Sequence, residues 1–166
     1  MRKIISVLME NQPGALSRVV GLFSQRGFNI ESLTASPIDD TGSLTRLNLT
    51  TDVSDDAVRE QIEKQLHKLI DVIKVAHISE TDHLEKEVLL LKLKVTKSTR
   101  LDLKQIIDIF NGKVLDISQS QYVVELTGNS KKIDEFITVI KEITEVYETA
   151  RSGVIGMTKG DKAFRV

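Results

Sequence analysis

The side chains able to do chemistry are few, and their spacing does not assemble a reaction centre. The three histidines, His67, His77 and His83, lie on a predicted helix, a strand and a connection, and form no metal-ligand pattern. Cysteine is absent, which removes disulfides, thiolate metal sites and thiol nucleophiles. Carboxylates occur in pairs at Asp39-Asp40 and Asp55-Asp56. A polar turn explains the first pair, and a helix start, where acids favour the dipole, explains the second. Neither pair has apolar surroundings that would raise a carboxyl pKa for acid–base work. Ser6, Ser17 and Ser24 lack the Gly-x-Ser-x-Gly elbow of a hydrolase. "GMTKGDK" has the composition of a phosphate loop without its G-x-x-x-x-G-K-[ST] spacing, and reads as a flexible basic tail.

One loop has chemical promise of another kind. In "ENQPGALSRVV", Asn11 supplies an amide, Pro13 a fixed φ, and Gly14 a backbone unshielded by a Cβ. A helix starts at once, so its unpaired N–H groups and positive dipole end face the same spot. Such a place attracts a carboxylate or phosphate. No arginine or lysine lies in the loop, which suits a singly charged carboxylate better. A second amide, Asn29, opens the next strand and is followed by Ile30. The residues alone leave two readings open, a capped turn and a small-ligand site.

The elements that position this loop repeat. Residues 2–9 predict a strand, and Leu16, Val19, Val20 and Phe23 stripe a helix over 15–25 that Gly27 stops. "FNIESLTASP" and "SLTRLNLTT" predict strands around the turn "IDDTG". Ser54 is a candidate N-cap, with Asp55 and Asp56 in the first turn of a helix striped by Val58, Ile62, Leu66 and Leu69. "DVIKVAHISE" closes the unit as a strand. After the charged connection "TDHLEKE" the order begins again. "VLLLKLKVT" is a strand, and Leu103, Ile106, Ile107 and Phe110 stripe a helix. "VLDISQ" and "YVVELTG" follow as strands, and Ser130 is the expected cap of a helix carrying Ile133, Phe136, Ile137, Ile140 and Ile143. "VYETARSG" is the last strand. "GMTKGDKAFRV" shows no period and is expected to pack loosely.

Two βαββαβ units predict an α+β fold of two ferredoxin-like domains, each a four-stranded antiparallel sheet with helices on one face. The expected divisions are 1–80, 84–152 and a C-terminal tail over 153–166. Units this small leave a sheet face and edges needing cover, so self-association is expected. The 166 residues are 40% hydrophobic and 28% charged with a net charge of −1, which disfavours general nucleic-acid or membrane-surface binding. RNA modules of this topology stack bases on aromatics of the central strands, yet "SLTRLNLTT" has none. A small acylphosphatase-like hydrolase would need an arginine in the first loop. The N-terminal apolar run is too short for a signal peptide, and no stretch approaches the roughly 18 apolar residues of a membrane span. A soluble, cytoplasmic protein is expected.

"VLMENQPGALSRVVGLFSQRGFNIESLTASP" closely resembles the ACT domain, whose signature is a strand, a Pro-Gly loop, a helix and an Asn-Ile strand. With "EQIEKQLHKLIDVIKV" and "ETARSGVIGMTKGDK", nearly the full chain resembles the regulatory (small) subunits of acetolactate synthase, also called acetohydroxyacid synthase. Gln12-Pro13 falls where members of this family vary. The resemblance implies an N-terminal ACT domain and a C-terminal ACT-like domain with no active site, no metal and no cofactor of their own. It implies a homodimer and a separate catalytic (large) subunit that uses thiamine diphosphate, Mg²⁺ and FAD to condense pyruvate with pyruvate or 2-oxobutyrate. The small subunit would activate that partner and confer feedback inhibition by valine in valine and isoleucine biosynthesis. The effector would lie between two chains, with Asn11, Gly14, Ala15 and Leu16 of one meeting Asn29 and Ile30 of the other. Thr34 and Ser36, on one face of the same strand, would extend the crevice. A free-standing ACT-type amino-acid sensor serving another partner is the alternative.

Overall fold

The structure is a computed structural model and describes residues 2–53, 56–161 and 163–165. The chain divides into two compact units, one made of residues 1–84 with 154–166 and the other of residues 85–153.

In the first unit the strands are β1 (Arg2–Glu10), β2 (Ile30–Pro37), β3 (Leu44–Asp52) and β4 (Val72–His77), and the helices are α1 (Ala15–Gln25) and α2 (Asp56–Leu66). The sheet is antiparallel in the order β2-β3-β1-β4. The apolar run of β1, interrupted only by Ser6, is explained by its central position, since Ile4 to Met9 are buried on both faces. Ile5, Val7 and Met9 pack with Leu47 and Leu49 of β3 against Ala15, Val19 and Phe23 of α1 and Ile62 and Leu66 of α2. The spacing of four in Ala15, Val19 and Phe23 puts one side chain per turn on the buried face of α1. That helix ends as its glycine predicts. Gly27 takes a left-handed φ of 71°, its N–H donates to Ser24 O at 3.2 Å, and the Phe28 N–H donates to Phe23 O at 2.9 Å. The Phe23 and Phe28 rings then meet edge-on at 6.1 Å, sealing the turn. Ser54 and Asp55, the expected cap and first-turn acid of α2, lie outside the described residues.

The second unit comprises β5 (His83–Lys94, which begins at the end of the first unit), α3 (Arg100–Ile109), β6 (Lys113–Ile117), β7 (Gln121–Gly128), α4 (Ser130–Ile143) and β8 (Val146–Arg151). Its antiparallel order, β6-β7-β5-β8, repeats that of the first unit. Leu89, Leu91 and Leu93 alternate inward on β5 against Leu103 and Ile107 of α3 and Ile133, Phe136 and Ile140 of α4. Two expectations change here. The charged stretch from His83 to Glu87 is not a connection but the start of β5, because Glu87 is buried and its carboxylate is bound by Arg151 of β8. The cap of α4 is Asn129 rather than Ser130, since the Asn129 Oδ1 accepts from the Lys132 N–H at 2.9 Å.

The tail is also not loose. Residues Ile155–Thr158 form a short strand, β9, and belong to the first unit. Val154 is buried with Ile4 and Ile78, and Arg46 Nη2 donates to Gly156 O at 2.6 Å. The Phe164 ring sits 5.1 Å from the Arg46 guanidinium and 5.7 Å from the Lys74 ammonium. No sequence period announces this segment because its contacts are with residues more than 70 positions away.

Candidate functional site

Asn11 is where the sequence and the sheet first cooperate. Its N–H donates to Ser43 O at 2.8 Å and its side-chain Nδ2 donates to Gly42 O at 2.8 Å. The β1–α1 loop is thereby tied to the β2–β3 turn. That turn is held in its own right by the Asp39 carboxylate, which accepts from the Leu44 N–H at 2.9 Å, the Ser43 hydroxyl at 2.7 Å and the Thr41 hydroxyl. These donors hold the Asp39 carboxyl well below the usual carboxylate range, so this acid builds a turn rather than performing acid–base chemistry.

Gly14 is the N-cap of α1 and has a left-handed φ of 81°, a conformation L side chains rarely adopt. The Ala15 N–H donates to Gln12 O at 3.1 Å and the Arg18 N–H to Gly14 O at 3.0 Å. Between them the Leu16 and Ser17 amides have no acceptor in the helix, and no side chain caps them. Beside this turn opens a cleft of about 230 Å³. Asn11, Gly14, Ala15, Leu16 and Ser17 line it from one side, and Ala35, Ser36 and Pro37 at the end of β2 line it from the other. The volume is below the range of pockets for drug-sized ligands. First-turn amides with a positive dipole end, an amide oxygen at Asn11 and the half-exposed Leu16 suit a small molecule carrying a carboxylate, an ammonium and an apolar group.

Four of the six expected site residues thus share one cleft. Asn29 and Ile30 do not, because Asn29 precedes β2 and Ile30 opens it while Pro37 ends it, roughly 23 Å from Ile30 at the rise of an extended strand. Asn29 is exposed and its carbonyl accepts from the Thr51 hydroxyl at 2.6 Å. Ser36 lines the cleft. Thr34 is not among its lining residues, and its hydroxyl is buried without a partner among the described residues.

One residue escaped the sequence reading. The loop itself holds no cation, but Arg18 folds back over it, with Nη1 3.1 Å from where a Cβ on Gly14 would stand. Its Nε donates to Asp71 Oδ2 at 2.6 Å. The spacing of four from Gly14 was a visible signal; the partner just before β4 was not. Among the described residues no group of three His, Asp or Glu side chains comes together as a metal site.

Two family models match the chain, an "AHAS small subunit-like ACT domain" over residues 5–74 and "Small subunit of acetolactate synthase" over residues 86–160. The chain belongs to the acetolactate synthase small-subunit family. Its match to the acetolactate synthase isozyme 3 small subunit of Escherichia coli is 49% identical and covers 99% of this chain and 100% of that one. The acetolactate synthase small subunit of Haemophilus influenzae is 50% identical, with 98% of each chain covered. The crystal structure of the small subunit from Thermotoga maritima superposes with a TM-score of 0.86 at 34% identity, over 98% of this chain and 99% of that one. By this membership the chain is a regulatory subunit of acetolactate synthase, and the cleft lies inside the region matched by the ACT-domain model.

Proposed function

We propose that this chain is the non-catalytic small subunit of a cytoplasmic, thiamine-diphosphate-dependent acetolactate synthase, that it activates the catalytic large subunit, and that it confers feedback inhibition by valine. The large subunit carries thiamine diphosphate, Mg²⁺ and FAD. The observation that carries this reading is the cleft at the Pro-Gly turn, within a chain similar over its whole length to acetolactate synthase small subunits. The unpaired Leu16 and Ser17 amides receive the valine carboxylate. Asn11, whose Nδ2 is committed to Gly42, has its Oδ1 available for the ammonium. Leu16 and Ile30 bound the side chain.

The site needs a second copy. β2 is an edge strand, and Asn29 and Ile30 stand at the far end of it from the cleft. An antiparallel β2-to-β2 pairing in a homodimer carries the partner's Asn29 and Ile30 toward the cleft of the first chain. It also covers an edge that otherwise invites uncontrolled association. Valine then alters the large subunit only by binding one arrangement of the dimer better than another. A coupling of about 1–3 kcal/mol, or 5- to 150-fold, is ordinary for such a device.

Calorimetric titration of valine, leucine and isoleucine into the purified protein, with acetolactate formation measured on reconstitution with a large subunit, tests this. Valine is expected to bind the isolated small subunit and to inhibit the reconstituted enzyme, which turns over faster than the large subunit alone. One methylene in a small apolar pocket changes affinity by about 1–3 kcal/mol, so the order of the three ligands reports the pocket's size. Acetolactate formation by the purified chain without a large subunit would sink the regulatory reading.

A further inference from the structure

We infer that Arg18, held by Asp71, is the positioning residue of the effector loop, an inference that rests on reading the Pro-Gly cleft as the effector site. Arg18 lies one helical turn beyond Gly14, and its N–H closes the first bond of α1 on Gly14 O at 3.0 Å. Its side chain then turns back over the loop. Nη1 stands 3.1 Å and Cζ 3.9 Å from the point a Gly14 Cβ would occupy, so the guanidinium covers the bare face of the glycine.

The guanidinium is held there by a second element. Nε donates to Asp71 Oδ2 at 2.6 Å, and the Asp71 side chain is 8% exposed. The Asp71 carbonyl accepts from the Glu10 N–H at 2.8 Å, fixing Asp71 to the last residue of β1. A continuous bridge therefore runs from the end of β1 through Asp71 and Arg18 to Gly14. It braces the left-handed turn from outside, while Asn11 braces the same loop against the β2–β3 turn. Each partner stabilises the charged form of the other, the Asp71 carboxyl falling and the Arg18 guanidinium rising from their ordinary values. Nε spans to Asp71 while Nη1 covers Gly14, a division of labour that a single ammonium cannot reproduce.

The inference has a reading that needs no effector. Amide hydrogen exchange is followed in ligand-free protein at Arg18, bonded to Gly14, and at Asn11, bonded to Ser43, with Leu91 and Leu93 of β5, in the second unit, as controls. Arg18→Gln and Asp71→Asn are expected to speed exchange at Arg18 and Asn11 by about tenfold, the cost of losing one charge-assisted bond, with the controls unchanged. Arg18→Lys, which keeps the charge but not the fork, restores less than half of that protection on a logarithmic scale. Unchanged exchange at Arg18 and Asn11, or equal acceleration at the controls, overturns the inference. Valine affinity in the same variants is expected to fall about tenfold, while the urea midpoint falls by no more than the loss of that one bond accounts for. Wild-type affinity in Arg18→Gln also overturns it. If the wild-type protein binds none of the three branched amino acids, the effector reading fails, and the exchange data still decide the role of Arg18.

Discussion

Gly14 is constrained at the residue scale from two directions. Its φ of 81° costs a side chain about 1–2 kcal/mol, and a Cβ there meets the Arg18 guanidinium at 3.1 Å. Gly14→Asp adds a third effect: its carboxylate competes with Asp71 for Arg18 and places negative charge beside the amides that are to receive a carboxylate. Calorimetry is expected to show valine affinity lowered more than tenfold in Gly14→Asp, with about 1 kcal/mol lost in urea unfolding. Gly14→Asn, which tolerates the left-handed turn and adds no charge, is the control and is expected to lose less of both. Unchanged affinity in Gly14→Asp places the effector elsewhere. Gly14, Asn11 and Leu16 were legible as candidates because a Pro-Gly turn before an amphipathic helix exposes amides. Arg18 was not, because what makes it relevant is the direction its side chain takes toward Asp71, 53 residues away.

At the scale of elements, α2 is joined to β4 by a titratable contact. His77 Nε2 lies 3.1 Å from Glu63 Oε2 of α2, its side chain is nearly buried, and its Nδ1 has no partner among the described residues. Burial pushes the His77 pKa below its ordinary 6.5, the nearby Arg59 and Lys3 push the same way, and the Glu63 carboxylate opposes them. The folded state therefore binds the proton less tightly than the unfolded chain does. The stability of the first unit is expected to be full above about pH 6.5 and to decline as pH falls from there through the lowered folded value. Urea midpoints measured between pH 8 and 5 check this, and His77→Gln should flatten that part of the curve; an equal slope in the variant assigns it to other groups. The helices and strands themselves were readable, but the stripe read on α1 was only half right: Val19 and Phe23 are buried, whereas Leu16 and Val20 are exposed and Ala15 takes the remaining buried place. The start of β5 was missed because its charges read as a linker, and only the Glu87–Arg151 pair explains how a carboxylate is buried in a strand.

At the scale of the whole molecule, the chain returns to its first unit after completing the second. Gly156 has no room for a side chain, because a Cβ there would stand 3.0 Å from Ile78 Cγ2 and 3.1 Å from Ile4 Cγ2. Gly156→Val is expected to cost about 1–3 kcal/mol by overpacking, read as a lower urea midpoint for the first unit. A variant as stable as the wild type would show that this segment is not part of the unit's core. The sequence by itself determined two βαββαβ units, most of the buried positions of their helices and the exposed backbone of the Pro-Gly turn. These follow from local period and from the special geometry of Gly and Pro, which act over a few residues. Only the tertiary structure decided which residues from distant positions meet: Arg18 with Asp71, Glu87 with Arg151, and Gly156 with Ile4 and Ile78. Those contacts depend on sheet order and register, which bring side chains together without leaving a period in the sequence.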